Sequence, residues 1–271
     1  MRKSILVLMA LGSLIACSKV QTPSANNEVE FTAVYPGTKA SDTGFETGDK
    51  IGIYAVDSAG VLDLAGNYAD NVGATYNGSH WQTFPKIYWG DSSLDFYAYF
   101  PYSSPSSIEE MAFEVGDYSS SDFLWCKVEG AVSGTSVPLY FKHLMSKLVI
   151  DIEAGEDYEG ELPDSMQVII HNTVTSAKIN LVTGDVVKND HASAKSFNAT
   201  QTGDHSYSAI IVPQRLSSKV PLVEIISGST SYMVEKSFTF KSGMQYTLTI
   251  TLNEAPDAIA ISIGGGNTEW N

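Results

Sequence analysis

The chain has 271 residues with 16 basic and 31 acidic side chains, a formal net charge of −15. Such an acidic chain excludes nucleic acid as a partner bound through counterion release, which needs clustered Lys and Arg, and it is repelled by anionic lipid surfaces. Its two cysteines, Cys17 and Cys126, cannot make a disulfide framework.

The chain opens on Arg2 and Lys3, followed by the apolar run of residues 5–16, ILVLMALGSLIA. Twelve residues match the apolar region of an export signal and are too few for a membrane span, which needs ~20. The run ends in Leu14-Ile15-Ala16-Cys17, which resembles a bacterial lipobox. The resemblance implies that residues 1–16 are a lipoprotein signal peptide and that Cys17 carries diacylglycerol, so that the mature chain is lipid-anchored through palmitate-type acyl chains. Each buried CH₂ adds ~0.8 kcal/mol, so two or three chains hold a protein almost permanently. Ser18, where an Asp would retain the protein in the inner membrane, points to the cell outer membrane. Loss of residues 1–16 removes Arg2 and Lys3 and takes the charge from −15 to −17. It also leaves Cys126 as the one free thiol, in a strand-like setting that fits a small buried apolar residue better than a nucleophile.

Residues 17–27 are polar and aperiodic and read as a tether. Beyond them short segments alternate apolar and polar residues between turns: Val29, Phe31 and Ala33; residues 51–55 after a Gly48-Asp49 turn; Phe96, Ala98 and Phe100; Leu148, Ile150 and Ile152; Ile179 and Leu181; residues 247–252; and Ile259, Ile261 and Ile263. A period of two with frequent turns predicts antiparallel strands with one buried face. The one helical signal is at residues 106–111, where Ser precedes Glu109 and Glu110. The expected fold is all-β: two tandem β-sandwich domains, 28–145 and 146–271, of about seven strands each. Gly264-Gly265-Gly266 reads as a flexible break before Trp270.

No catalytic set emerges, and neither an enzyme activity nor a cofactor is expected. The five histidines, His80, His143, His171, His191 and His205, lack metal-ligand spacing. The acidic run Glu153, Glu156, Asp157, Glu159 and Glu161 offers hard oxygens but no regular Ca²⁺ loop. A glycosidase would need two facing carboxylates, and none are indicated. Trp81, Tyr88, Trp89, Tyr97 and Tyr99 form either a sugar-stacking platform or cover for a sandwich core. Asp57-Ser58-Ala59 and Asp164-Ser165-Met166 have the form of O-glycosylation sites.

Taken in order, residues 38–43 (TKASDT), 45–55 (FETGDKIGIYA), Trp81, Tyr88-Trp89, 94–102 (LDFYAYFPY), 141–148 (FKHLMSKL), 180–184 (NLVTG), 210–214 (IIVPQ) and 240–246 (FKSGMQY) resemble the fimbrillin family, lipoprotein subunits of type V pili in Gram-negative bacteria. The resemblance implies transthyretin-like (Ig-like) sandwiches, pilin subunits as partners, and a surface location in a fimbrium. It also implies assembly by donor-strand exchange. A protease cuts the loop after the first strand, here at Lys39-Ala40, and the strand bearing Val29, Phe31 and Ala33 leaves with the lipid. The C-terminal strand bearing Ile259, Ile261 and Ile263 of another subunit then fills the groove by β-augmentation. The family presents Arg where this chain has Lys39, and an Arg-specific pocket discriminates against Lys. Three alternatives stay open: an uncut, lipid-retaining subunit that serves as the pilus anchor, both segments as ordinary edge strands of a stable monomer, and a non-polymerising surface lipoprotein that binds glycan or host ligands.

Overall fold

The structure, a computed structural model, describes residues 27–35, 44–216, 220–255 and 260–270. Cys17, Lys39, Ala40 and Ile259 lie outside the described residues, and of Ile261 and Ile263 the backbone alone is described. In chain order the first strands are β1 (Phe31–Val34), β2 (Lys50–Asp57), β3 (Ala69–Tyr76), β4 (Trp81–Phe84), β5 (Leu94–Phe100), β6 (Met111–Glu114), β7 (Leu124–Ala131), β8 (Val137–Tyr140) and β9 (Lys142–His143). There follow β10 (Ser146–Ala154), β11 (Gln167–Thr173), β12 (Ser176–Asn180), β13 (Asp185–Lys188), β14 (Lys195–Asn198), β15 (Thr200–Gly203), β16 (Ser206–Ile211), β17 (Gln214–Leu216), β18 (Pro221–Ser227), β19 (Thr230–Glu235), β20 (Phe238–Phe240), β21 (Met244–Leu252) and β22 (Ala260–Glu269). The fold is all-β, as the alternation predicts. The expected count of about seven strands per half is low, because short strands of three or four residues hold too few alternations to register as a period.

A six-stranded sheet, β4-β3-β2-β5-β7-β9, faces the pair β1-β8. Ile51, Ile53, Phe96, Leu124 and Cys126 meet Phe31, Val137 and Leu139 between them, giving one apolar core. A five-stranded sheet, β15-β16-β10-β21-β22, faces a four-stranded one, β14-β11-β18-β19. Leu148, Ile150, Leu248 and Ile250 pack there with Val168, Ile170, Val223 and Ile225 in a second core. β9 closes the six-stranded sheet and β10, three residues on, is central to the five-stranded one.

Three features depart from the sequence reading. First, not all pairs are antiparallel: β1 runs parallel to β8 and β10 parallel to β21. Each pair joins strands far apart in sequence, so no hairpin sets their direction. Second, residues 106–111 form no helix. Ser107 Oγ does accept the Glu110 N–H at 3.0 Å, as a cap would, but Met111 then enters β6 and pairs with Ile179 of β12. Third, the glycines at 264–266 do not break the chain, since β22 runs through them.

The β6–β12 pairing also ties the two halves together. A third apolar cluster gathers Tyr54, Tyr99 and Trp125 from the outer face of the six-stranded sheet with Ile179, Leu181, Ile210 and Trp270. Trp125 Nε1–H donates across this seam to the Leu181 carbonyl at 2.8 Å, so the buried indole is satisfied. β2 and β5 are therefore covered on both faces.

Candidate functional site

β1 is four residues long and bonds to β8 in the register Phe31↔Val137 to Val34↔Tyr140. Its alternation sets its chemistry. Val29 and Phe31 are buried and Ala33 packs against the same core, while Thr32 and Val34 face outward. The Phe31 ring meets Phe96 edge-on at 5.2 Å. Upstream, Val29 N–H donates to Ile87 O at 2.9 Å and Asn27 O accepts from Trp89 N–H at 2.9 Å. Glu28 pairs with Lys86 on the surface. Beyond that point β1 and β4 splay apart around a cleft of about 860 Å³, lined by Val29, Phe31, Trp81, Thr83 and Lys86. Thr83 Oγ1 is buried there with no hydrogen-bond partner. The first segment is thus an apolar plug set in a sandwich beside an open seam.

The last segment, β22, lies at the edge of the five-stranded sheet, antiparallel to β21. Ile261 is opposite Ile250, and Ile263 opposite Leu248. Three consecutive glycines make an intrinsically weak strand. At its end Trp270 is 5% exposed. Its N–H donates to Gly243 O at 2.8 Å, and its ring stacks on His143 at 3.7 Å with 5° between planes.

The two segments meet at a set of residues that the sequence reading missed. His143 Nδ1 lies 2.8 Å from Asp122 Oδ2, and the Tyr35 hydroxyl donates to the same oxygen at 3.4 Å. Asp122 Oδ1 is buried and unpartnered. The Tyr35 ring is edge-on to His143 at 5.8 Å and to Phe45 at 5.2 Å. A Cβ on Gly44 would lie 3.7 Å from that of Tyr35, so these two described residues adjoin. Tyr35, Gly44, Asp122 and Trp270 line one cavity of about 310 Å³. Nothing in one dimension says that residues 35, 122, 143 and 270 converge.

The remaining candidates stay apart. His171 bonds to Ser196 and Glu224, His80 to Asn77, His205 to Pro163 O, and the His191 N–H to Asn189. Among the described residues no three His, Cys, Asp or Glu side chains are arranged to hold a metal. Cys126 is buried, and burial pushes its thiol well above its usual range, which leaves it unreactive. Of the five aromatics, Trp81, Trp89, Tyr97 and Tyr99 are buried and cover cores, and Tyr88 is half-buried. Ser58 and Ser165 are exposed, and Ser58 Oγ donates to Asp95 at 2.7 Å.

Residues 38–270 match the family model described as Fimbrillin-like. A candidate fimbrium tip subunit of Bacteroides ovatus, Fim1C, is 42% identical over 76 residues, a match that spans 26% of this chain and 13% of that protein's length. Among solved structures, a candidate cell adhesion protein of Bacteroides uniformis superposes with a TM-score of 0.72 at 23% identity, covering 91% of this chain and 99% of that one. The C-terminally truncated tip fimbrial protein Mfa3 of Porphyromonas gingivalis superposes with a TM-score of 0.51 at 12% identity, covering 83% of this chain and 95% of that one.

Proposed function

We propose that this chain, which belongs to the fimbrillin-like family, is a structural subunit of a surface fimbrium and joins its neighbours by strand exchange. Its role is mechanical and adhesive rather than catalytic. The precursor reaches the cell outer membrane on the lipid of Cys17. Cleavage at Lys39-Ala40 frees the segment that carries Val29, Phe31 and Ala33, and the C-terminal strand of another subunit, with Ile259, Ile261 and Ile263 as its apolar side, takes its place.

The observation that supports this most is the seat of β1. The segment buries Val29 and Phe31 in the core, yet β1 is a four-residue strand paired with β8. Withdrawing it costs few backbone bonds and opens an apolar slot beside the free carbonyl and amide groups of β8. Another strand of period two restores both. Each plug that buries fully contributes about 1.5–3 kcal/mol, so three alternating plugs give an association that is slow to reverse.

The test is to treat the purified precursor with a trypsin-like protease and read the new N-terminus by mass. Cleavage after Lys39, followed by SDS-resistant ladders, is expected. A chain that resists cutting there and stays monomeric rules out assembly by this route.

A further inference from the structure

Trp270 and Tyr35 belong to the two segments that must move if strands are exchanged, and they close on the same pair of side chains. Trp270 stacks face to face on His143. Tyr35 packs edge-on against that imidazole and donates to the carboxylate that holds it. His143 is fully buried in this clasp, and Asp122 is half-buried where it lines the cavity. Tyr35 and Gly44 line the same cavity as Trp270.

We propose that this cluster is a lock: Trp270 holds β22 on its own subunit for as long as Tyr35 backs the His143–Asp122 pair, so that departure of β1 releases the C-terminal strand. The physical reasoning is local. β22 is an edge strand whose middle is three glycines, which weaken its ladder with β21 and interrupt its register between Gln245 and Thr247. Its one described deeply buried side chain is Trp270, outside the ladder at its end. Aromatic stacking depends on a partner ring held rigidly in place. Take Tyr35 away, and the His143 ring loses its edge contact and Asp122 loses a donor. Asp122, half-buried in the cavity wall and already without a partner on its other oxygen, is then more open to water, and the imidazole that it holds at 2.8 Å is less firmly fixed under the indole. An unprocessed precursor therefore keeps its donor strand docked, which guards against premature polymerisation, and a processed subunit presents it.

The use of the released strand rests on the strand-exchange reading; the coupling does not. Amide hydrogen exchange on the full chain tests the coupling. Tyr35→Ala and Trp270→Ala should each speed exchange of β22 amides by roughly tenfold relative to β10 amides. Tyr35→Leu keeps apolar volume against the N-terminal core while losing the ring edge and the hydroxyl. It should give the same relative rise even if Tyr35→Ala loosens that core. If both Tyr35 variants leave the β22-to-β10 ratio as in the parent chain, while Trp270→Ala raises it, the coupling is wrong. If the Tyr35 variants release β22 but no strand-exchanged ladder forms with processed subunits, the coupling stands and the assembly reading fails.

Discussion

Trp125 and Gly184 show how single residues fix the seam between the two halves. Gly184 sits at φ +71°, and a Cβ there would come within 2.5 Å of the Trp125 ring. The close approach lets the indole reach across to Leu181 O. Gly184→Ala should therefore destabilise the fold by about 1–3 kcal/mol through overpacking, with left-handed strain added. Trp125→Phe should cost a similar ~1–3 kcal/mol by leaving a buried carbonyl unpaired. Urea unfolding reads both as a lower midpoint at unchanged slope; a midpoint equal to the parent's would contradict this account of the seam. Little of this was legible in the sequence. Tyr54, Tyr99 and Trp125 are amphipathic, and such side chains serve equally on a wet face or in a core, so the strands that carry them read as half-exposed. The same ambiguity left Trp81, Tyr88, Trp89, Tyr97 and Tyr99 readable either as a stacking platform or as core cover, and the packing buries all but Tyr88, which is half-buried.

Among the strands, legibility follows burial. In β21 alternate residues from Tyr246 to Leu252 enter one core, and the period of two is plain. β2 lacks it because both faces are covered. In β1 the alternation also survives, and it makes a quantitative expectation. Phe31→Ala should cost about 3–5 kcal/mol as a buried aromatic truncation, whereas Thr32→Ala, on the exposed face, should stay within about 0.5 kcal/mol. Equal effects at the two positions, measured by equilibrium unfolding, would mean that β1 is not a core plug. The β6–β12 junction carries a pH dependence. Glu114 accepts from Thr175 Oγ1 at 2.6 Å and from Lys195 Nζ at 2.9 Å, and these bonds, Thr175 foremost, hold its carboxyl below the usual range. A carboxylate whose folded pKa is depressed adds stability above its unfolded pKa, about 4.3, and loses it as pH falls through the folded value. Glu114→Gln should thus lower the melting temperature slightly at neutral pH, with the gap closing as the pH falls through the depressed folded value, the gap being small because the pair is half-exposed. A gap that widens on acidification would reverse the sign and refute the assignment.

At the scale of the whole molecule, two sandwich cores are joined by a third apolar cluster, and β22 lies at a sheet edge. Membership of the fimbrillin-like family and the all-β fold were both readable from ordered short motifs and from alternation. The convergence of residues 35, 122, 143 and 270 was not, because it depends on how the C-terminal sheet edge meets the N-terminal sheet. The net charge of −15 repels like chains at low ionic strength, and the association proposed above rests on buried apolar strands. That claim is tested most directly with peptides. A chain starting at Ala40 should bind a synthetic peptide of residues 258–270 in a one-to-one complex that survives SDS, and a peptide of residues 27–35 should compete for the same groove. The intact chain from residue 27 should bind neither. Equal binding of the C-terminal peptide to both chains, or its failure to bind a truncated chain that still takes up the 27–35 peptide, would contradict strand exchange as the means of assembly.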